Sequence, residues 1–143
     1  MDAEAPEPLI DARPVRFELA SVAVVLLGGY VFGIIWVIPG LAVVLAAGLG
    51  FGARANLFGR LFRALFSERL KPSAATESAG AFRFAELFAV AVLTVATLLF
   101  VIGLGWLAWP IALAEAGVCA LHAGTGISVE AAVRARIRGS RHR

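Results

Sequence analysis

Cysteine, histidine and charged side chains are all scarce in this chain. Its 143 residues include one cysteine and two histidines, so a disulfide framework is excluded and an all-protein zinc site is not expected. Only 16% of the residues are charged, whereas soluble domains have about 25% charged residues. Apolar residues make up 60% of the chain, compared with about 45–50% in soluble domains. One soluble core of this size cannot bury that much apolar surface, since such domains still expose about 30% of their unfolded-chain area. An ordinary cytosolic enzyme domain is therefore excluded.

Charge is absent from two long stretches of the sequence. Residues 19–53 form a run of 35 without a charge, and residues 87–129 hold one acidic residue in 43 positions. A membrane-spanning helix needs about 20 apolar residues, with a lower bound of about 17. Each stretch is therefore too long for one helix and suits a hairpin of two.

Turn-forming residues stand near the middle of each stretch. Both contain glycine, tryptophan and proline in that order, namely Gly33, Trp36 and Pro39 in the first and Gly103, Trp106 and Pro110 in the second. Glycine and proline interrupt helices, and tryptophan prefers the bilayer interface. The sequence thus predicts an all-α, polytopic membrane four-helix bundle built from two tandem helical hairpins. The predicted spans are residues 17–36, 39–54, 84–103 and 107–124, with a re-entrant segment as the alternative for the short second span.

The remaining sequence divides into flanking and connecting segments. The predicted organisation is a disordered N-terminal tail, the first hairpin, an interfacial amphipathic helix with a linker, the second hairpin and a basic cytoplasmic tail, at residues 1–15, 16–55, 56–82, 83–126 and 127–143. Acidic residues and prolines near the start do not resemble a secretory signal. In the middle segment, leucine and phenylalanine repeat at helical spacing with arginines on the other side, which predicts a helix lying in the membrane surface. It is either a simple connector or a surface for lipid sensing or docking.

Basic residues lie outside the two hairpins. The middle segment carries a membrane-surface basic set, Arg54, Arg60, Arg63, Arg69 and Lys71, and further arginines follow the last span. The positive-inside rule then places both termini and the middle segment in the cytoplasm, as a multi-pass protein of the cytoplasmic (inner) membrane. The basic pI of about 10.0 is thereby explained as an orientation signal, and no nucleic-acid partner is expected.

The two halves resemble each other. Arg16-Phe17-Glu18 recurs as Arg83-Phe84-Ala85-Glu86, and the glycine–tryptophan pair recurs 70 positions later. Small residues also recur every fourth position in the second helix of each half, at Ala42, Ala46 and Gly50 and at Ala112, Ala116, Ala120 and Gly124. Such stripes allow close helix approach, so spans two and four are predicted to pack at the centre of the bundle. The alternative is chance likeness between alanine-rich hairpins.

Glu115 is the one acidic residue expected well inside a span. With Cys119 and His122 it stands at i, i+4 and i+7 on one helix face, and the predicted candidate site also includes Thr94, Thr97 and Tyr30, at similar depth. An intramembrane acid is a functional-site hypothesis by default. Its alternatives are a neutral structural acid, a proton or cation site, a contact to another subunit, or one of three metal ligands without a fourth. No catalytic motif is present, and neither a metal nor a cofactor is predicted.

The order of features resembles the uncharacterised bacterial membrane family DUF4395. The matching stretches are Ile10-Asp11-Ala12-Arg13-Pro14-Val15-Arg16-Phe17, Asn56-Leu-Phe-Gly-Arg-Leu-Phe-Arg63 with Pro72 beyond it, and Arg83-Phe84. The resemblance covers about residues 9–131. It implies sulfur or thiol chemistry for some members, many of which end in a cysteine pair. Here Ser128 and Ala131 stand where that pair would be, which argues against a redox role.

The sequence favours a non-catalytic accessory or partner subunit. Its expected partners are the lipid bilayer and either another membrane protein or a second copy of the chain. The alternative is a small transporter or channel that uses Glu115, and a weaker alternative is a membrane thiol-redox or sulfur-handling protein.

Overall fold

The described part of the chain forms six helices and one short pair of strands. The computed structural model describes residues 8–52, 56–66, 76–126 and 129–140. In chain order the elements are β1 (Leu9–Asp11), α1 (Ala12–Val31), α2 (Val37–Phe51), α3 (Leu57–Phe66), β2 (Thr76–Ser78), α4 (Ala79–Val101), α5 (Gly105–Thr125) and α6 (Val129–Ser140). Helices α1, α4 and α5 are each long and apolar enough to cross a membrane, and α2 is a shorter apolar helix of 15 residues.

The first helix of each half begins five residues earlier than the predicted spans. The Asp11 carboxylate accepts a hydrogen bond from the Arg13 N–H and caps α1, and the Ser78 hydroxyl accepts one from the Ala81 N–H and caps α4. Pro14 falls in the first turn of α1. Backbone N–H groups in a first turn make no intrahelical hydrogen bond, so proline is tolerated there. The predicted disorder is therefore wrong for residues 9–15, and residues 1–7 lie outside the described residues.

The strands β1 and β2 join the two halves at their starts. They pair antiparallel with Leu9 opposite Ser78, Ile10 opposite Glu77 and Asp11 opposite Thr76. One further backbone bond runs from the Ala79 N–H to the Pro8 carbonyl at 3.0 Å. Because α1 and α4 follow these strands directly, their first turns lie at the same end of the molecule, which we call the base.

Both hairpin turns have the same backbone hydrogen bonds. The Ile34 N–H donates to the Gly29 carbonyl at 2.7 Å, and the Leu104 N–H donates to the Leu99 carbonyl at 2.8 Å. Gly33 and Gly103 precede these donors with φ of 66° and 86°, values that favour glycine. This arrangement is the usual glycine-ended helix terminus, and it explains why the glycines recur in the sequence.

The closest helix pairs are α1 with α5, α2 with α4, and α4 with α5. Among the described residues α2 and α5 are not a close pair, so the prediction that spans two and four pack together is wrong. Helix α2 buries Ile38, Leu41 and Leu45 against its neighbours, while Ala46 and Gly50 of the predicted stripe are exposed. Large aliphatic side chains fill this interface, so small residues are not what brings α2 to the bundle.

Helices α3 and α6 lie at the base. Helix α3 contacts α1, and its Phe58 is buried, whereas Leu57, Leu61 and Leu65 are exposed. Helix α6 contacts α4 and occupies most of the predicted C-terminal tail. A helix was expected in the connecting segment, whereas the helix in the C-terminal tail was not.

Candidate functional site

Two buried carboxyl groups meet at the base of the bundle. Glu18 of α1 is 4% exposed and Glu86 of α4 is 8% exposed. Each lies in the second or third turn of a helix whose start is fixed by the strand pair, so the two side chains face each other. The two carboxyl groups lie close enough to act on one another electrostatically. Burying two neighbouring acids is costly when both are charged.

Asn56 completes this group of polar side chains. Its Nδ2 donates to Oε2 of Glu18 at 3.1 Å, and its Oδ1 accepts from the Gly59 N–H at 2.8 Å. The second bond caps the first turn of α3, in the position where asparagine is preferred. Glu18, Glu86 and Asn56 therefore form an acid–amide cluster that connects α1, α4 and α3.

A small recess opens beside the acid–amide cluster. It has a volume of about 170 Å³, and its lining includes Asp11, Glu18, Asn56 and Phe82. The hydrogen bonds from the Arg13 side chain and backbone hold the pKa of Asp11 below its ordinary value. The recess therefore has an ionised carboxylate at its rim and the buried Glu18 at its wall, so a solute that enters it meets both.

The residues singled out on α5 are buried on one face of that helix. Glu115 is 2% exposed, and Cys119 and His122 are also buried. The Cys119 Sγ donates to Oε1 of Glu115 at 3.5 Å, one helical turn away. The His122 carbonyl accepts from the Gly126 N–H, which ends the helix. None of these three residues is among the lining of the recess beside the acid–amide cluster.

The other predicted members of that site lie elsewhere. Thr94 is exposed on α4, and the Thr97 hydroxyl donates to the Leu93 carbonyl of its own helix at 2.8 Å. Tyr30 is 52% exposed, and its ring packs edge-on against Trp109 near the hairpin turns, with centroids 5.3 Å apart. Thr94 and Tyr30 are therefore exposed, whereas Thr97 is half-buried.

The membrane-surface basic set is partly described. Arg60 and Arg63 are exposed on α3, whereas Arg54, Arg69 and Lys71 lie outside the described residues. Arg16 has a different role, since its Nη2 lies 2.7 Å from the position that a Cβ on Gly126 would occupy. Its positive charge therefore sits at the carboxyl end of α5, where the helix dipole favours a cation.

The three α5 side chains do not form a metal site. In the described part of the chain, no group of three or more histidine, cysteine, aspartate or glutamate side chains is arranged to hold a metal ion. Nothing in the described residues supports the alternative that treated Glu115, Cys119 and His122 as three metal ligands. Side chains spaced along one helix face cannot surround an ion without donors from a second element.

The acid–amide cluster was missed from the sequence. Glu18 and Glu86 were seen only as parts of a repeated motif, and Asn56 only as the start of a family-like stretch. The signal was present, because each half places a glutamate just after an Arg-Phe pair at the start of a long apolar helix. Two acids at equivalent places in two similar halves are candidates for a contact between the halves.

The fold and these sites define an all-helical protein whose apolar helices suit a multi-pass place in a lipid bilayer. The family model DUF4395, described as a domain of unknown function, matches residues 10–138. The chain therefore belongs to the DUF4395 family, and the resemblance drawn from the sequence is confirmed. Neither the curated proteins nor the solved structures include a match to this chain.

Proposed function

We propose that the chain is a four-span protein of the cytoplasmic membrane with both termini and residues 56–82 in the cytoplasm. Support comes from the distribution of exposed side chains. The outward faces of the long helices are apolar, for example Val24 and Leu27 of α1 and Leu98 of α4. The arginines of the described segments, including Arg13, Arg60 and Arg83, belong to elements at the base. This separation of charge is the one that the positive-inside rule requires.

The fourth span in this proposal is α2. At about 1.5 Å per residue its 15 residues reach about 22 Å, which is shorter than a hydrocarbon core of about 30 Å. The exposed apolar side chains of the adjoining turn, Phe32, Ile34 and Trp36, extend the apolar length at that end. A full span with local bilayer thinning is therefore favoured over a re-entrant segment.

We further propose that the two halves are repeats related by an approximate two-fold axis along the membrane normal. The strand register supports this proposal, because the central residues of the two strands, Ile10 and Glu77, pair with each other. The first residue of each strand pairs with the last residue of the other, as a two-fold axis requires. In such a repeat α1 corresponds to α4 and α2 corresponds to α5. The close pair α1–α5 then corresponds to α4–α2, which is also a close pair. Glu18 and Glu86, which follow the two strands, lie near this axis.

The function best supported is that of a non-catalytic accessory or partner subunit. The observation that carries it is the use of the buried polar groups: Glu18, Glu86 and Asn56 join three helices and cap one of them. The buried Cys119 likewise donates to Glu115 within the bundle. These polar groups hold helices in place and are not arranged for catalysis. We therefore infer that the chain acts together with a partner, which is either another membrane protein or a second copy.

This proposal is tested by cross-linking in intact cells followed by purification in mild detergent. The expected result is that the tagged chain is recovered with a second polypeptide in fixed ratio. Asn56→Ala, which loosens α3, should lower that recovery more than Ser21→Ala, whose hydroxyl bonds only to its own helix. Recovery of an isolated protomer from cross-linked cells would contradict the proposal.

A small proton-linked transporter is the second candidate. It is favoured by one observation, the exposure of the Glu18 side of the acid–amide cluster to a recess that also holds Asp11. The test is proton uptake into proteoliposomes under a potassium diffusion potential, read with an enclosed pH dye. Glu18→Gln and Glu86→Gln should abolish uptake, Glu115→Gln tests the site first predicted on α5, and Ser21→Ala is the control. Equal uptake by the first two variants and the control would eliminate this candidate.

A further inference from the structure

An apolar groove runs along the outer face of α1 where α3 crosses it. It has a volume of about 420 Å³, within the range of about 300–1,000 Å³ that is common for small-molecule sites. One wall is a helical stripe of α1 that includes Phe17, Ala20 and Val24. The other wall is formed by Phe58 and Leu61 of α3. The groove therefore lies at the corner between a candidate span and the helix at the base.

The chemistry of the walls determines what can occupy the groove. The side chains facing it are apolar except for Ser21, whose hydroxyl already donates to the Phe17 carbonyl at 2.7 Å. An extended peptide segment there would leave its backbone N–H and C=O groups without partners in an apolar setting. An unbranched hydrocarbon chain has no such groups, so it fits this surface better than an extended peptide.

The charge around α3 indicates the kind of lipid. Arg60 and Arg63 are exposed on this helix, and its sequence from Leu57 to Phe66 contains no acidic residue. Basic side chains on a helix at the membrane surface attract anionic phospholipid headgroups. Aromatic contacts hold α3 against α1, since Phe17 packs on Phe62 and Phe66 with ring centroids 5.5 and 5.9 Å apart. The groove is thus held open by fixed walls.

We propose that this groove binds one acyl chain of an anionic glycerophospholipid, with its headgroup held at Arg60 of α3. The site is separate from the acid–amide cluster and from the α5 face, and it rests on the proposed membrane placement of α1. The chain occupies the corner between α1 and α3, so the bound lipid becomes part of the surface that α3 presents at the base.

The test is native mass spectrometry of the full chain. The protein is released from bilayers of equal phosphatidylglycerol and phosphatidylcholine, and the retained lipid is counted and identified. The expected result is one retained phosphatidylglycerol per chain. Ala20→Trp and Val24→Trp fill the groove and should lower retention about tenfold, whereas Ala91→Trp, at an exposed alanine of α4, should not. Arg60→Gln should remove the preference for phosphatidylglycerol without removing the bound lipid.

The outcomes separate this proposal from the membrane placement. Carbonate extraction of the same membranes reports on insertion, so a chain that extracts with carbonate contradicts the proposed function itself. Inserted protein in which Ala20→Trp and Val24→Trp retain as much lipid as Ala91→Trp overturns the groove. A peptide or second copy bound in place of lipid, seen directly in the mass, overturns it as well.

Discussion

Asn56 donates a hydrogen bond from Nδ2 to Oε2 of Glu18 across 3.1 Å, although 38 positions separate the two residues in the chain. The oxygen of the same amide caps α3. The Asn56 side chain therefore connects the start of α3 to the buried carboxyl of Glu18. Glu86, from the other half of the molecule, lies close enough to act on that carboxyl electrostatically. Polar contacts therefore contribute to holding the base of the bundle together.

Removing the Asn56 amide should destabilise the protein. Asn56→Ala leaves the Glu18 carboxyl with one partner fewer and removes the cap of α3, so we expect a loss of about 1–3 kcal/mol. Ser21→Ala, which removes a hydroxyl bonded to its own helix, should change stability much less. Thermal unfolding of both variants in the same detergent measures the difference. Equal melting temperatures for the two would show that the Asn56–Glu18 bond contributes nothing.

The close approach of α1 and α2 at Gly29 should tolerate no added methyl group. A Cβ at Gly29 would lie 2.9 Å from the Cβ of Val37, so Gly29→Ala should cost about 1–3 kcal/mol. Gly28→Ala is the matched control, because a Cβ there meets no atom within 4 Å, and its effect should stay within about 1 kcal/mol. Val37→Ala should restore much of the loss. Unfolding in detergent tests this, and a Gly29→Ala variant as stable as Gly28→Ala would refute the contact.

The end of α5 should also require glycine. Gly126 has φ of 71°, and a Cβ there would lie 2.7 Å from the Arg16 guanidinium. Gly126→Ala should therefore lower stability by about 1–2 kcal/mol, mainly through the left-handed backbone, since the flexible end of Arg16 can move aside. Gly124→Ala, two residues earlier in an open position, should not. The comparison is again one of melting temperatures, and no difference between the variants would count against the geometry at this end.

The cap of α1 should be sensitive to acid. Arg13 holds the pKa of Asp11 below its ordinary value near 3.8, so the folded state favours the ionised carboxylate. That contribution is present above pH 3.8 and is lost as the pH falls through the lowered folded-state pKa. Asp11→Asn, which keeps a cap acceptor, should be less stable than the parent at pH 7 and equal to it in strong acid. A stability difference independent of pH would show that the charge is not involved.

Much of the fold could be predicted because apolar stretches and turn residues act locally. The recurrence of Gly33 and Gly103 marks two turns of the same type, and both helices that follow begin close to the predicted positions. The early starts of α1 and α4 were missed because prolines and small residues were interpreted as helix-breaking. Pro14 is tolerated by its position in the first turn, which only the capping bond of Asp11 makes evident.

The helix arrangement and the buried acid pair depend on contacts between distant segments. The small-residue stripe of α2 suggested a central helix, yet Ile38 and Leu41 form its buried face. Glu18 and Glu86 become partners only because β1 and β2 bring the two halves together at their starts. Periodicity reports which residues share one helix face, and it carries no information about the helix that the face will meet.

The orientation of the hairpins in the membrane is the central claim, and site-directed cysteine labelling tests it most directly. In a Cys119→Ser background, single cysteines are placed at Ile34 and Ile102 in the turns, at Ala64 in α3 and at Ser140 in α6. A membrane-impermeant maleimide added to intact spheroplasts should label the two turn positions, and should label Ala64→Cys and Ser140→Cys only after the membrane is opened. Labelling of the Ala64 position from the same side as Ile34 would contradict the four-span account.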